Sequence, residues 1–174
     1  MTRQELCAPI TERYEELKEA LKGNDPERIR ELALEVHALV HPAEISGRGE
    51  KTIADHVLDF MLEGNQNVIV PREDYETNLH YAGTDRVPLC WQFWHTYRIE
   101  DLVSNILMKN GNQIFDAWWQ EKIGSPITDT GNALELKEAA AFGEALDVQA
   151  LRDYMITVGK NTRDILKALT PEQI

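Results

Sequence analysis

Three of the five histidines lie where a helix would turn them toward a protein core. His37 and His41 are four residues apart, so one helix face would carry both. His95 lies in the apolar stripe of a second predicted helix, with Trp91, Ile99, Leu102 and Ile106. Neutral imidazole is the commonest metal ligand, and three protein ligands with one open position let a divalent metal activate water or a thiol. The spacing therefore favours a divalent-metal site formed by His37, His41 and His95.

Each of these histidines also has an ordinary structural interpretation. A single buried imidazole such as His95 is usually satisfied by a hydrogen bond from another helix. The HxxxH pattern of His37 and His41 arises often by chance, and the third inward histidine is what strengthens the metal hypothesis. His56 lies at the edge of its helix's apolar face and is an alternative ligand, whereas His80 falls in a predicted loop and is expected to be exposed.

Two acidic residues follow His95 and have two possible roles. Glu100 and Asp101 could replace one of the ligands, orient a ligand or act as a base. Alternatively, they form ion pairs with the nearby cations Arg98, Arg152 or Arg163, which we favour. No general base occurs at a recognisable spacing from the hydroxyl residues Ser46, Thr96 and Thr162, so a serine-type hydrolase is not indicated.

The composition is that of a globular protein with an acidic surface. The chain has 174 residues, 43% hydrophobic and 28% charged, with a net charge of −12, and we predict a single domain over residues 1–174. This charge argues against nucleic acid as a partner, because phosphate binding needs a basic surface. Cys7 and Cys90 form neither a disulfide framework nor a metal pair, which favours a reducing, cytoplasmic location. No apolar run reaches membrane-spanning length, and no signal-peptide core is found at the N-terminus.

Helix punctuation recurs along the chain and predicts an all-α protein. Asp25-Pro26 starts a long helix, Pro42 kinks it near His41, and Asp147 caps the final helix. Residues 1–24 form an N-terminal helical extension, and residues 64–86 read as a long crossover. No convincing strand pair is predicted. The other predicted helices are Thr11–Lys22, Thr52–Glu63, Val87–Met108, Leu134–Leu146 and a short aromatic segment at Ile114–Ile123.

One motif resembles a known family. The segment at residues 90–101, CWQFWHTYRIED, resembles the second-helix motif of the DinB/YfiT-like superfamily. The segments at 113–123 (QIFDAWWQEKI), 129–131 (DTG) and 147–171 fit the same family, so the resemblance covers most of the chain. It implies a DinB-like four-helix bundle with a long crossover and additional short helices.

The resemblance also implies chemistry. Members of that superfamily typically bind nickel or zinc through three histidines, and they include metal-dependent hydrolases and transferases that use low-molecular-weight thiols. The family takes one histidine from its second helix, which His95 matches, and two from an HxxxH on its last helix. Here the last helix has no histidine and reads KNTRD at residues 160–164. Either the site is lost, or the pair has moved to His37 and His41.

The sequence therefore supports two functional hypotheses. The first is a divalent-metal-binding bundle that acts on a small molecule, as a metal-dependent hydrolase or a low-molecular-weight-thiol transferase. The alternative is a non-enzymatic DinB-like bundle that has lost the metal site and binds a ligand or its own copy. A homodimer fits either hypothesis.

Overall fold

The structure, a computed structural model, describes residues 3–71, 86–132, 134 and 136–174. It is mostly helical, as the periodicity predicts. The described helices are α1 (Arg3–Ala20), α2 (Pro26–Val40), α3 (Ala43–Ser46), α4 (Ile53–Phe60), α5 (Leu89–Asp101), α6 (Ala117–Ile123), α7 (Leu136–Ala145) and α8 (Val148–Ala168). Among them, none is long and apolar enough to cross a membrane.

Contacts divide the chain into two compact units. The first unit comprises Met1–Val57 and Gly159–Ile174, and the second comprises Leu58–Val158. The single-domain assignment and the DinB-like bundle topology stay predictions.

The first unit begins with α1 and α2. Asp25 accepts a hydrogen bond from the Arg28 amide at 3.1 Å, and Pro26 opens α2, as the sequence predicts. Ion pairs between α1 and α2 join Arg13 to Glu35 at 3.0 Å and Arg28 to Glu16 at 2.9 Å. These pairs are partly exposed, so each contributes little stability by itself.

A short connection after α2 fixes where the next two helices begin. The backbone leaves the helix at His41, and α3 ends at Gly47, whose φ of 73° is the left-handed conformation that glycine adopts at helix ends. Asp55 then accepts hydrogen bonds from the amides of Ala43 and Thr52 at 2.8 and 2.9 Å. This carboxylate therefore fastens the start of α3 to the start of α4.

The second unit contains one strand pair that the sequence did not predict. Strands β1 (Ile69–Pro71) and β2 (Arg86–Pro88) are antiparallel, with Val70 opposite Val87. Three residues are too short to show an alternating pattern, and the partner strand is distant in sequence, which explains why the expectation of no strand pair was wrong. Most of the predicted crossover, including His80, lies outside the described residues.

Two helices change geometry near their C-terminal ends. The helix predicted at Val87–Met108 is α-helical over Leu89–Asp101 and π-helical over Leu102–Met108. The amide of Lys109 donates to the carbonyl of Ser104, five residues earlier, at 3.2 Å. Helix α4 is followed by a widened segment at Met61–Asn65, which is kinked at Gly64, where φ is 94°. Such widening shifts the register of side chains relative to an ideal α-helix.

An aromatic cluster forms the centre of the second unit. Trp94 contacts Phe142 with ring centroids 4.9 Å apart, and Phe115 contacts both Trp94 and Tyr154 edge to face. Helix α8 begins where predicted, because Asp147 accepts a hydrogen bond from the Ala150 amide at 2.9 Å. Its buried seam includes Leu151, a residue with no solvent exposure.

The buried thiol of Cys90 leads to a pH-dependent prediction. Burial raises the pKa of Cys90 from near 9 to about 11, so the folded protein favours the neutral thiol. The contribution of the buried thiol to the free energy of unfolding is complete below the pKa of the unfolded thiol and is lost as the pH rises toward 11. The two-unit difference corresponds to about 2–3 kcal/mol. We expect the free energy of unfolding, measured with urea from pH 8 to 11, to fall more in the wild type than in Cys90→Ala.

Thiol reactivity provides the control for that prediction. Cys7 is half-buried on α1, whereas Cys90 is buried, so a chromogenic disulfide reagent at pH 8 should modify Cys7 first. Cys7→Ser leaves Cys90 as the reacting thiol, and Cys90→Ala leaves Cys7. Equal reaction rates of the two variants would contradict the burial of Cys90.

Candidate metal centre

His37 lies in the last turn of α2, on the side that packs inward. The buried residues of this helix are Leu32, His37 and Ala38. His37 is 7% exposed, whereas Val40, which the sequence pattern places on the same apolar face, is 40% exposed. The prediction that His37 faces the core is therefore confirmed.

His41 is buried as predicted, but it stands just beyond the helix. Its backbone is extended, with φ −101° and ψ 163°, and its amide still donates to the carbonyl of His37 at 3.2 Å. The cause is Pro42, because the ring of a proline disfavours helical geometry in the preceding residue. The expectation that one helix carries both histidines is thus replaced by a helix and its C-terminal cap.

The two imidazoles nevertheless lie together. Their ring centroids are 3.8 Å apart and their planes differ by 16°. Both side chains are at least nine-tenths buried. The lone pair of an imidazole nitrogen lies in the plane of its ring, so two stacked rings aim their lone pairs in nearly parallel directions. Shared coordination of one cation therefore requires the rings to turn toward a common point.

The identity of a third ligand stays a prediction. The sequence offers His95 or an acidic residue such as Glu100, and both lie on α5 in the second unit.

The chemistry of the histidine pair fits a divalent cation, because neutral imidazole is a ligand of zinc, nickel, copper and iron. A carboxylate in the third position would also offset part of the ion's charge in a largely buried location.

His95 lies on α5, in the second unit. It is buried and stacked on Trp91, with centroids 4.7 Å apart and an interplanar angle of 3°. Its Nδ1 lies 2.6 Å from the carbonyl oxygen of Thr130. A carbonyl only accepts, so Nδ1 carries the proton. The interaction matches the structural interpretation of a buried histidine bonded to another segment.

Asp101 has a structural role, which is the alternative that the sequence favoured. Its Oδ2 lies 3.3 Å from Arg98 Nη1, and both side chains are buried. It also accepts hydrogen bonds from the amides of Ile114 and Phe115, each at 2.8 Å, and from the hydroxyl of Tyr154 at 2.8 Å. Burial and the Asp101 charge raise the pKa of Tyr154 well above its usual range.

Two isoleucines of the predicted apolar stripe are exposed, so that part of the prediction was wrong. Ile99 and Ile106, expected to face the core beside His95, are 38% and 41% exposed. The buried face instead includes Arg98 and Asp101, which periodicity arguments assign to solvent. A buried ion pair is tolerated because each partner is hydrogen-bonded, and sequence spacing does not reveal those distant partners.

The remaining candidates divide between packing and surface. His56 is exposed on α4. Trp91 and Trp94 are buried in the second unit, which agrees with packing. Trp118 is 58% exposed, and Lys122 Nζ lies 5.1 Å from its ring centroid.

Comparison with known proteins identifies no relative. No protein-family model, curated protein or solved structure matches the chain. The DinB-like resemblance therefore rests on the motifs in the sequence and stays a prediction.

Proposed function

We propose that this protein binds one divalent metal ion, with nickel or zinc as the expected ion, through His37, His41 and a third ligand, for which the sequence offers His95 or an acidic residue such as Glu100. The observation that carries the proposal is the close approach of the two buried imidazoles in the first unit, whose ring centroids lie 3.8 Å apart. Three protein ligands leave a coordination position for an exogenous molecule, which distinguishes catalytic from structural sites. Burial of the imidazoles helps to exclude bulk water and strengthens electrostatic interactions there.

The reaction class follows from that open position. A bound divalent ion would act as a Lewis acid that activates water or a low-molecular-weight thiol. The proposed activity is therefore a metal-dependent hydrolase or thiol transferase acting on a small molecule, in the manner of the family that the motifs resemble. The imidazoles supply neutral nitrogen donors. With the net charge of −12, neither a nucleic acid nor an anionic membrane surface is an expected partner. The cysteine content supports a cytoplasmic location.

Metal analysis of the purified full chain tests this proposal. The protein is stripped with a chelator, incubated separately with zinc and nickel, desalted and analysed for bound metal. We expect about one equivalent per chain for at least one ion, together with a higher melting temperature, because a ligand that binds only the native state stabilises it. No retained metal and an unchanged melting temperature would refute it.

The second candidate is a non-enzymatic bundle that associates with its own copy. It is favoured by an exposed apolar stripe in the second unit, formed by Ile99, Val103, Ile106 and Leu107, of which Leu107 is 75% exposed. Light scattering with size-exclusion chromatography tests it. A dimer that dissociates in Leu107→Glu, from a protein that retains no metal, would favour this candidate over the first.

A further inference from the structure

Helix α8 and the α2–α3 segment are antiparallel within the first unit. Residue numbers rise along one as they fall along the other, and contacts at both ends fix the register. Four pairs mark it: the Arg30 guanidinium with the Leu169 carbonyl, Arg163 Nη1 with the Leu34 carbonyl at 2.9 Å, Lys160 Nζ with Glu44 Oε1 at 2.9 Å, and the Gly159 backbone with the Ile45 side chain. Gly159 permits the close approach, because a Cβ there would lie 2.5 Å from Ile45 Cδ1.

This register places the histidine pair opposite a short stretch of α8. His37 and His41 fall between Leu34 and Glu44, whose partners on α8 are Arg163 and Lys160. The counterpart of the pair is therefore the turn at residues 160–163. Within that turn, Thr162 is the buried side chain, with 8% exposure. It shares a helix face with Gly159 and Arg163, the residues that touch α3 and α2.

The hydroxyl of Thr162 is unusual for a buried polar group. Its Oγ1 has no hydrogen-bond partner among the described residues. Buried hydroxyls in native proteins are almost always paired, because desolvation without a partner costs free energy. A helical threonine commonly satisfies its hydroxyl on the carbonyl one turn earlier, and Thr157 does so with Asp153 at 2.8 Å. Thr162 makes no such bond.

We infer that Thr162 binds the exogenous oxygen ligand of the metal centre. The hydroxyl donates a hydrogen bond to an oxygen of a small carboxylate or similar oxyanion as that group enters the site beside His37 and His41. The inference rests on the proposed function, since it requires the ion that would hold the ligand's other oxygen. Thr162 thus favours ligands that carry a second acceptor oxygen over purely apolar ones.

Cobalt(II) and acetate provide the test. The full chain is stripped of metal and loaded with Co²⁺, and acetate is titrated while the visible absorption of the ion is recorded. We expect Thr162→Val to bind Co²⁺ normally and to weaken acetate binding by about tenfold, as expected when one hydrogen bond to a charged ligand is lost. Thr162→Ser keeps the hydroxyl and should bind acetate within about threefold of the wild type.

A second measurement separates ligand binding from folding. In the metal-free protein, Thr162→Val should unfold at the same temperature as the wild type or a higher one, because the methyl replaces a hydroxyl without a bonding partner. A melting temperature lowered by several degrees would assign the hydroxyl to the fold and overturn the inference. Normal Co²⁺ binding with no acetate response, or with equal acetate affinities in wild type and Thr162→Val, would overturn this inference alone. Failure of the wild type to bind Co²⁺ would overturn the proposed function as well.

Discussion

Replacing either His37 or His41 with Ala is expected to weaken zinc affinity by about 100-fold or more. Loss of a partner outside the coordination shell already costs roughly 10–100-fold, and removal of a direct ligand costs more. Both imidazoles are buried and stacked at 3.8 Å, so no exposed side chain can easily take their place. Competition with a chromogenic zinc chelator measures the affinity of each variant.

Matched variants make this experiment specific. His56→Ala removes an exposed histidine on α4 and should bind zinc as the wild type does. Glu100→Gln and His95→Ala each remove one of the third ligands that the sequence offers, and we expect one of the two to weaken affinity by at least about tenfold. The hydrogen bond of His95 Nδ1 to the Thr130 carbonyl is one that metal-bound histidines commonly make through their other nitrogen.

The last two variants identify the third ligand. If His95→Ala loses zinc while Glu100→Gln retains it, the ligands are His37, His41 and His95, and the reverse result identifies Glu100. If His37→Ala and His41→Ala both bind zinc as the wild type does, bound zinc occupies some other location and the centre is wrongly assigned. Circular dichroism of each metal-free variant establishes that the loss is not one of folding.

Replacing Asp101 with Asn is expected to lower the free energy of unfolding by about 3–5 kcal/mol, the usual cost of removing one partner from a buried ion pair. The substitution leaves the Arg98 guanidinium, which is 1% exposed, without its buried counter-charge. It also weakens the acceptor for the Ile114 and Phe115 amides, which fix the segment after α5. A loss of this size is a large fraction of the 5–15 kcal/mol that stabilises a typical protein.

Urea unfolding at neutral pH measures this loss, and the chain supplies a surface pair for comparison. Asp153 Oδ2 lies 2.9 Å from Lys122 Nζ, with both side chains about one-third or more exposed. Asp153→Asn should therefore change the free energy of unfolding by no more than about 1 kcal/mol. Equal effects of Asp101→Asn and Asp153→Asn would show that the buried network contributes no more than a surface pair.

A double-mutant cycle tests whether the network acts as a unit. Tyr154→Phe removes the hydroxyl that donates to Asp101 at 2.8 Å. Because both side chains share one carboxylate, the combined variant should lose less than the sum of the two single losses. Simple additivity would mean that the tyrosine and the carboxylate stabilise the protein independently.

Helix boundaries and types were determined largely by local sequence. Asp25-Pro26 and Asp147 supply caps whose hydrogen bonds form within three residues, so nearby sequence is sufficient to predict them. The apolar period likewise placed His37 on the buried side of α2. The short strand pair was missed because its two halves are joined by a nonlocal contact.

Tertiary structure decided which groups share the candidate site. Histidine spacing could bring His37 near His41, but only the tertiary structure shows that their rings stack and that His95 bonds to Thr130. The same holds for Asp101, which is buried because amides distant in sequence satisfy its charge. Local periodicity reports the face on which a side chain lies. The partner it meets there depends on chain segments brought together by folding, and that pairing determines whether a buried polar group is structural or free to bind a ligand.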